Sequence, residues 1–275
     1  MGHGKLKKFA ENETFSCLLQ PSAGDLLSEG FFSLKDNDIK GCWNERMFKM
    51  PQPVVLELGC GKGEYTIDLA RRIPSRNYIG VDIKGARLWK GAKEAETSGM
   101  GNVAFLRTRI EFITAFFAPS EVSEIWLTFS DPQMKSENSR LTSPLFLERY
   151  RKMLKPGGIV HLKTDSMFLH QYSKAVAEAN GLHILACTED LYATSPEDIL
   201  TKDSAGYLDR DSVDSLYEVQ TFYEKMFLQM GLKITYLSFV IDKDGDFVYP
   251  EFDAAYWRSV EGPRRSFSHN PTKEV

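Results

Sequence analysis

The stretch Val54-Val55-Leu56-Glu57-Leu58-Gly59-Cys60-Gly61-Lys62-Gly63-Glu64 decides how this chain is read. A short apolar run ends in three glycines at alternate positions, and residues 64–72 then carry apolar side chains at near-helical spacing up to Pro74. Strand, tight turn, helix is the expected local structure. The glycines let the backbone turn sharply and let a ligand approach with no Cβ in the way. Nicotinamide enzymes use a similar loop, so the glycines alone do not choose a cofactor. Two acids add information: Glu57 precedes the glycines, and Asp82 ends the next β-branched run, where a carboxylate can accept both hydroxyls of a ribose. Cys60 reads as a small filler and not as a nucleophile.

Working outward, strands are expected at Val54–Leu58, 78–83, Val103–Arg107, 124–129, 159–163, 183–186 and 233–241. Helices are expected at Glu64–Arg72, 85–96, 110–117, 144–154, 168–179 and 221–230, with Lys155-Pro156-Gly157-Gly158 closing the fourth. Alternation of this kind builds a mostly parallel sheet of seven strands with helices on both faces. Residues 1–50 read as an N-terminal arm or cap, 51–241 as the catalytic domain, and 242–275 as an irregular C-terminal extension. Glu57, Asp82 and the glycine loop together resemble the Rossmann-like methyltransferases. That resemblance implies S-adenosylmethionine as methyl donor, the loop Gly59, Gly61 and Gly63 against its amino-acid end, Glu57 near the ammonium and Asp82 on the ribose.

The fourth strand exits through Trp126-Leu127-Thr128-Phe129-Ser130-Asp131-Pro132. Proline biases Asp131 away from helix and holds its carboxylate at the sheet edge where ligands of open α/β sheets bind. Phe129 to Lys135 is similar to the Phe-Pro-Asp-Pro-Trp-x-Lys motif of bacterial tRNA (guanine-N7)-methyltransferases. Leu162-Lys163-Thr164-Asp165 and Thr221-Phe222-Tyr223-Glu224 resemble two further motifs of that family in the same order, so the resemblance spans about residues 53–240. It implies methyl transfer to N7 of a variable-loop guanine (position 46 in tRNA numbering). It also implies Asp131 as the active-site acid, and Lys135, Asp165, Thr221 and Glu224 as substrate contacts. The chain departs from the pattern at Ser130, Gln133 and Met134, and Arg109 stands where many members have an aspartate. Adenine recognition then falls to backbone near Arg109 and Ile110, or to Glu111. Plain structural roles stand beside these: Asp131 as a turn former, Asp165 as a helix N-cap, and Thr221 with Glu224 as a capping box.

Composition sets the remaining bounds. The 275 residues carry a net charge of −4, which is uneven: nine acids against two bases in 189–218 make that acidic insertion −7 and leave +3 for the remainder. A mildly basic body is compatible with tRNA as partner. Candidate phosphate contacts are Lys135, Arg140, Lys5, Lys7, Lys8, Arg87, Lys90 and Lys93, the 87–93 group reading more readily as a solvated helix face. The tail residues Tyr256, Trp257, Arg258, Arg264 and Arg265 mix aromatic and basic character. Four scattered cysteines, no apolar run of bilayer length and no signal segment favour a cytoplasmic protein without metal or membrane. Monomer and homodimer both remain open. The competing readings are a methyltransferase of a small molecule or protein, and a tRNA-binding protein without turnover.

Overall fold

The structure is a computed structural model that describes residues 3–28 and 33–268, with side chains from Gly4 to Glu261. The expected parallel sheet is present, and the N-terminal segment adds to its edge. After α1 (His3–Asn12) come β1 (Leu18–Leu19) and the short helices α2 (Ala23–Leu26) and α3 (Trp43–Arg46). The alternating part follows as β2 (Val54–Leu58), α4 (Glu64–Arg72), β3 (Asn77–Asp82), α5 (Gly85–Thr97), β4 (Val103–Arg107), β5 (Val122–Thr128), α6 (Pro144–Arg151), β6 (Leu154–Thr164) and α7 (Met167–Ala179). It closes with β7 (Ile184–Thr188), α8 (Pro196–Ile199), α9 (Arg210–Glu218), α10 (Phe222–Gln229), β8 (Thr235–Val240) and α11 (Ala254–Ser268).

The sheet runs β1-β4-β3-β2-β5-β6-β8-β7. All neighbours from β1 to β6 are parallel, and β8 is antiparallel to both β6 and β7. β2, β3 and β5 are buried at every residue, as strands covered by helices on both faces must be. The strand order reverses at β2, which has β3 on one side and β5 on the other. In a doubly wound sheet this is where the loops leaving neighbouring strands diverge and open a crevice.

Several expectations change. The segment 155–158 does not terminate a helix. α6 ends at Arg151, Leu154 already pairs with Val122, and the register shift before Ile159 makes these residues a bulge within β6. Proline and a glycine at φ +71° are suited to that break in the ladder. The segment 110–117 is a tighter 3-10 turn, Ile110–Ala115. The acidic insertion packs into the fold: Leu191, Ile199, Leu208, Val213 and Leu216 are buried in the core, and Glu218 and Asp209 pair with Arg72 and Arg76 beside α4. The C-terminal extension, expected to be irregular, contains α11; Arg264 and Arg265 lie outside the residues whose side chains are described. Within the N-terminal segment, read as an arm or cap, Trp43 is fully buried and stacks on Phe117 at 5.3 Å.

Candidate active site

Parallel pairing carries the C-terminal ends of β3, β2, β5 and β6 to one edge, so Asp82, the 59–63 loop, Asp131 and Asp165 emerge side by side. Adjacent strands are about 4.8 Å apart, which makes this edge a compact acidic crevice.

The glycine loop has an unusual cap. α4 begins at Gly63, which sits at φ +72° and has no side chain to accept from the helix N–H groups. Glu57 does this from β2: its Oε2 accepts from Thr66 N at 2.8 Å and from the Thr66 hydroxyl, and its Oε1 accepts from Thr128 Oγ1 at 2.5 Å. Burial pushes the Glu57 carboxyl up to about 7, against the lowering effect of these donors. A Cβ on Gly59 or Gly61 would meet nothing within 4 Å, so open space lies over this part of the loop. A Cβ on Gly63 would stand 2.5 Å from Phe105, so that glycine serves packing instead. Asp82 is almost buried; its Oδ2 accepts from Gly61 N at 3.0 Å and its Oδ1 from Lys84 N at 2.7 Å. Each oxygen keeps a second lone pair for a ligand hydroxyl. Cys60 is buried, and burial holds its thiol well above the usual range, as a filler requires. Arg109 is exposed, pairs with Glu111 at 3.3 Å and lies over the Phe112 ring. Its side chain is thereby drawn onto its own turn, at whose start Ile110 stands.

Asp131 is exposed at the crevice mouth and flanked by backbone strain. Phe129 and Gln133 have φ of +51° and +46°, a region that side chains other than glycine seldom occupy. Such strain persists only where the surroundings enforce it, and it gathers at functional sites. Asp131 Oδ1 accepts from Gln133 N at 2.9 Å, and Phe129 N donates to Lys163 O at 2.9 Å, so the carboxylate is presented by a fixed turn. Lys135 is exposed in the same loop.

Asp165 is half-buried and is not the cap of α7; Ser166 is, accepting from Leu169 N. Thr221 caps α10, accepting from Glu224 N at 3.2 Å. The carboxylate of Glu224, expected to touch substrate, is fully buried: it pairs with Lys163 Nζ at 2.7 Å and accepts from Tyr192 Oη at 2.8 Å. It therefore acts from behind the surface. Arg140, expected to contact phosphate, is also buried, its guanidinium over Phe168 and Tyr172 at 4.7 and 4.3 Å. Lys90 and Lys93 pair with Glu64 and Glu11, consistent with a solvated helix face.

Lys163 is the residue whose role sequence reasoning missed. Its ammonium donates to Leu216 O at 2.6 Å, Val219 O at 3.2 Å and Glu224, joining the end of β6 to the acidic insertion and to the start of α10. Burial lowers its pKa, offset in part by Glu224. A lysine inside a β-strand was the available signal, but its partners lie 53 or more residues away. Thr66 and Thr128 were likewise unreadable as the supports of Glu57.

The doubly wound sheet, the open glycine loop with its two acids and the strained Asp131 turn define a Rossmann-like methyltransferase. Residues 51–234 match a family model described as "Putative methyltransferase". The chain is 46% identical to a tRNA (guanine-N(7)-)-methyltransferase of Bacteroides fragilis, over 97% of this chain and 98% of that one. It is 46% identical to the Porphyromonas gingivalis protein of the same name over 83% and 88% of the two chains, and 34% identical to that of Levilactobacillus brevis over 70% and 82%. The chain belongs to the tRNA (guanine-N(7)-)-methyltransferase family.

Proposed function

We propose that this protein transfers a methyl group from S-adenosylmethionine to N7 of a variable-loop guanine, position 46, of tRNA. The observation that carries the reading is the Asp131 turn, held in a strained conformation at the switch-point crevice beside an open glycine loop. The cofactor supplies an electrophilic methyl on a sulfonium when bound. Gly59, Gly61 and Glu57 would hold its amino-acid end, Asp82 its ribose, and the turn from Arg109 and Ile110 its adenine side. The space over Gly59 and Gly61 and the second lone pairs of Asp82 fit such a ligand.

Guanine N7 already carries its lone pair in the ring plane, so no base has to remove a proton first. The protein's own work is orientation, which can supply much of a rate enhancement. Methylation at N7 leaves the purine cationic. Asp131 stabilises that charge as it develops and accepts from the guanine N1–H and amino group. Asp165 and Thr221 border the base, and Glu224 with Lys163 fixes the start of α10 behind them. Lys135 and the exposed Lys5 and Lys7 of α1 meet tRNA phosphates, which orient the substrate without reading its sequence. No described helix is long and apolar enough to cross a membrane, and the described residues hold no group of three or more His, Cys, Asp or Glu suited to a metal ion.

The test is transfer of labelled methyl to an unmodified tRNA transcript, followed by base-sensitive strand scission. Cleavage at one variable-loop guanine is expected. Label appearing in RNA at another atom, or in no RNA at all, would refute the assignment.

A further inference from the structure

The extension after β8 folds back over the same sheet edge. Asp253 caps α11, its Oδ1 accepting from Tyr256 N at 2.9 Å. Ala254, Trp257, Arg258 and Glu261 then recur at i, i+3, i+4 and i+7, the spacing of a single helix face. Trp257 stacks parallel to Phe252, which packs edge-on against Phe168 and Tyr172 of α7 and so fastens the helix down.

Two polar side chains of that face reach the two substrate loops. Glu261 is nine-tenths buried at the N-terminus of α7, with Oε1 accepting from Ser166 Oγ at 2.5 Å and Oε2 from Phe168 N at 2.6 Å. A carboxylate is favoured there by the unpaired N–H groups and the helix dipole. Ser166 Oγ in turn accepts from Leu169 N, and Ser166 N donates to Thr164 Oγ1, so both neighbours of Asp165 are held in place. Arg258 Nη1 donates to Met134 O at 3.2 Å, and the buried Arg140 converges on the same carbonyl from 3.3 Å. That carbonyl belongs to the turn directly after Asp131.

We propose that α11 is a clamp in which Arg258 positions the Asp131 loop and Glu261 positions the Asp165 turn for methyl transfer. The inference rests on the function proposed above. Neither side chain is placed at the reacting atoms; each acts through backbone that carries an acid of the site.

The test uses the full chain with Arg258→Ala and Glu261→Ala combined, and Glu261→Gln alone. Misplacing reacting groups by about an ångström costs on the order of 100-fold, so the double variant should lose ~10- to 100-fold in kcat on tRNA. Its KM for tRNA and its Kd for S-adenosylmethionine should stay within about threefold. Glu261→Gln keeps one acceptor oxygen and should fall between the wild type and the double variant. Hydrogen exchange should rise in peptides over 131–140 and 164–169 and remain unchanged over 54–63. Unchanged exchange in those two peptides overturns the clamp whatever the substrate is, and so does a rise spread over the whole chain. Unchanged or raised kcat in the double variant overturns it as well. A wild-type protein that methylates no tRNA, with exchange still rising locally in the variant, refutes the proposed function and leaves the clamp standing.

Discussion

Replacing Lys163 by methionine tests the buried junction behind the site. Lys163 and Glu224 are both fully buried at 2.7 Å, and the ammonium also serves the carbonyls of Leu216 and Val219. Methionine fills similar volume but leaves Glu224 with Tyr192 as its remaining donor, its Oε2 already lacking one. Removing one member of a buried ion pair typically costs about 3–5 kcal/mol, because the other charge is stranded. For a chain of this size 1 kcal/mol is worth roughly 2–4 °C in Tm. A fall on the order of 10 °C is therefore expected, measured by scanning calorimetry and by urea unfolding monitored by circular dichroism. Adding Glu224→Gln removes the stranded charge while keeping an acceptor for the Tyr192 hydroxyl. The double variant should accordingly recover at least half of the loss. A Lys163→Met protein within about 2 °C of wild type, which is less than ~1 kcal/mol, would refute the reasoning. A double variant no more stable than the single one would refute it equally, since the cost would then lie in the two carbonyls and not in the charge.

Asp131→Ala should lower tRNA turnover by roughly 100-fold or more, the scale of a lost electrostatic stabiliser, with calorimetric affinity for S-adenosylmethionine unchanged; equal losses in both would deny Asp131 a substrate-side role. Asp82→Ala should weaken the cofactor by ~2 kcal/mol, about 30-fold, and an unchanged dissociation constant would remove Asp82 from the ribose. If Glu57 faces the cofactor's ammonium as proposed, cofactor binding is expected to depend on pH. Its carboxyl is raised to about 7 by burial, so the apo protein is stabilised by holding it protonated, an effect complete below the ordinary carboxylate range and lost as pH rises through 7. The cofactor's ammonium favours the ionised form, so affinity should fall up to about tenfold per unit as pH drops below 7. Glu57→Gln should flatten that profile, and a wild-type profile already flat from pH 5.5 to 7.5 would exclude the coupling.

Much of the architecture was legible because its signals are local. The 54–64 run, the α4 periodicity and the β4 boundaries depend on residue spacing within one element, and each appears as read. The Asp131 loop was legible for a similar reason: proline and aspartate at a strand exit constrain the backbone wherever the strand goes. Local patterns misled where a second partner decides conformation. The proline and glycines of 155–158 signal a stop, yet pairing of Leu154 with Val122 absorbs them as a bulge. Thr221-x-x-Glu224 spells a capping box, but only Thr221 caps, because a buried ammonium outbids the backbone N–H for the carboxylate.

Sequence by itself thus determined the alternating strands, the glycine loop and the acids of the sheet edge, since parallel strands carry their C-terminal ends to the same side without further instruction. Tertiary structure alone decided how the groups behind that edge are held, whereas Asp82 and Asp131 also take local backbone N–H donors from Lys84 and Gln133. Glu57 meets Thr128 across 71 residues, Lys163 meets Glu224 across 61, and Ser166 meets Glu261 across 95. The charge and hydrogen-bonding capacity of each group is written in its residue type, but which partner satisfies it is fixed by burial, where an unpaired polar group is too costly to leave and the nearest donor in space is remote in sequence.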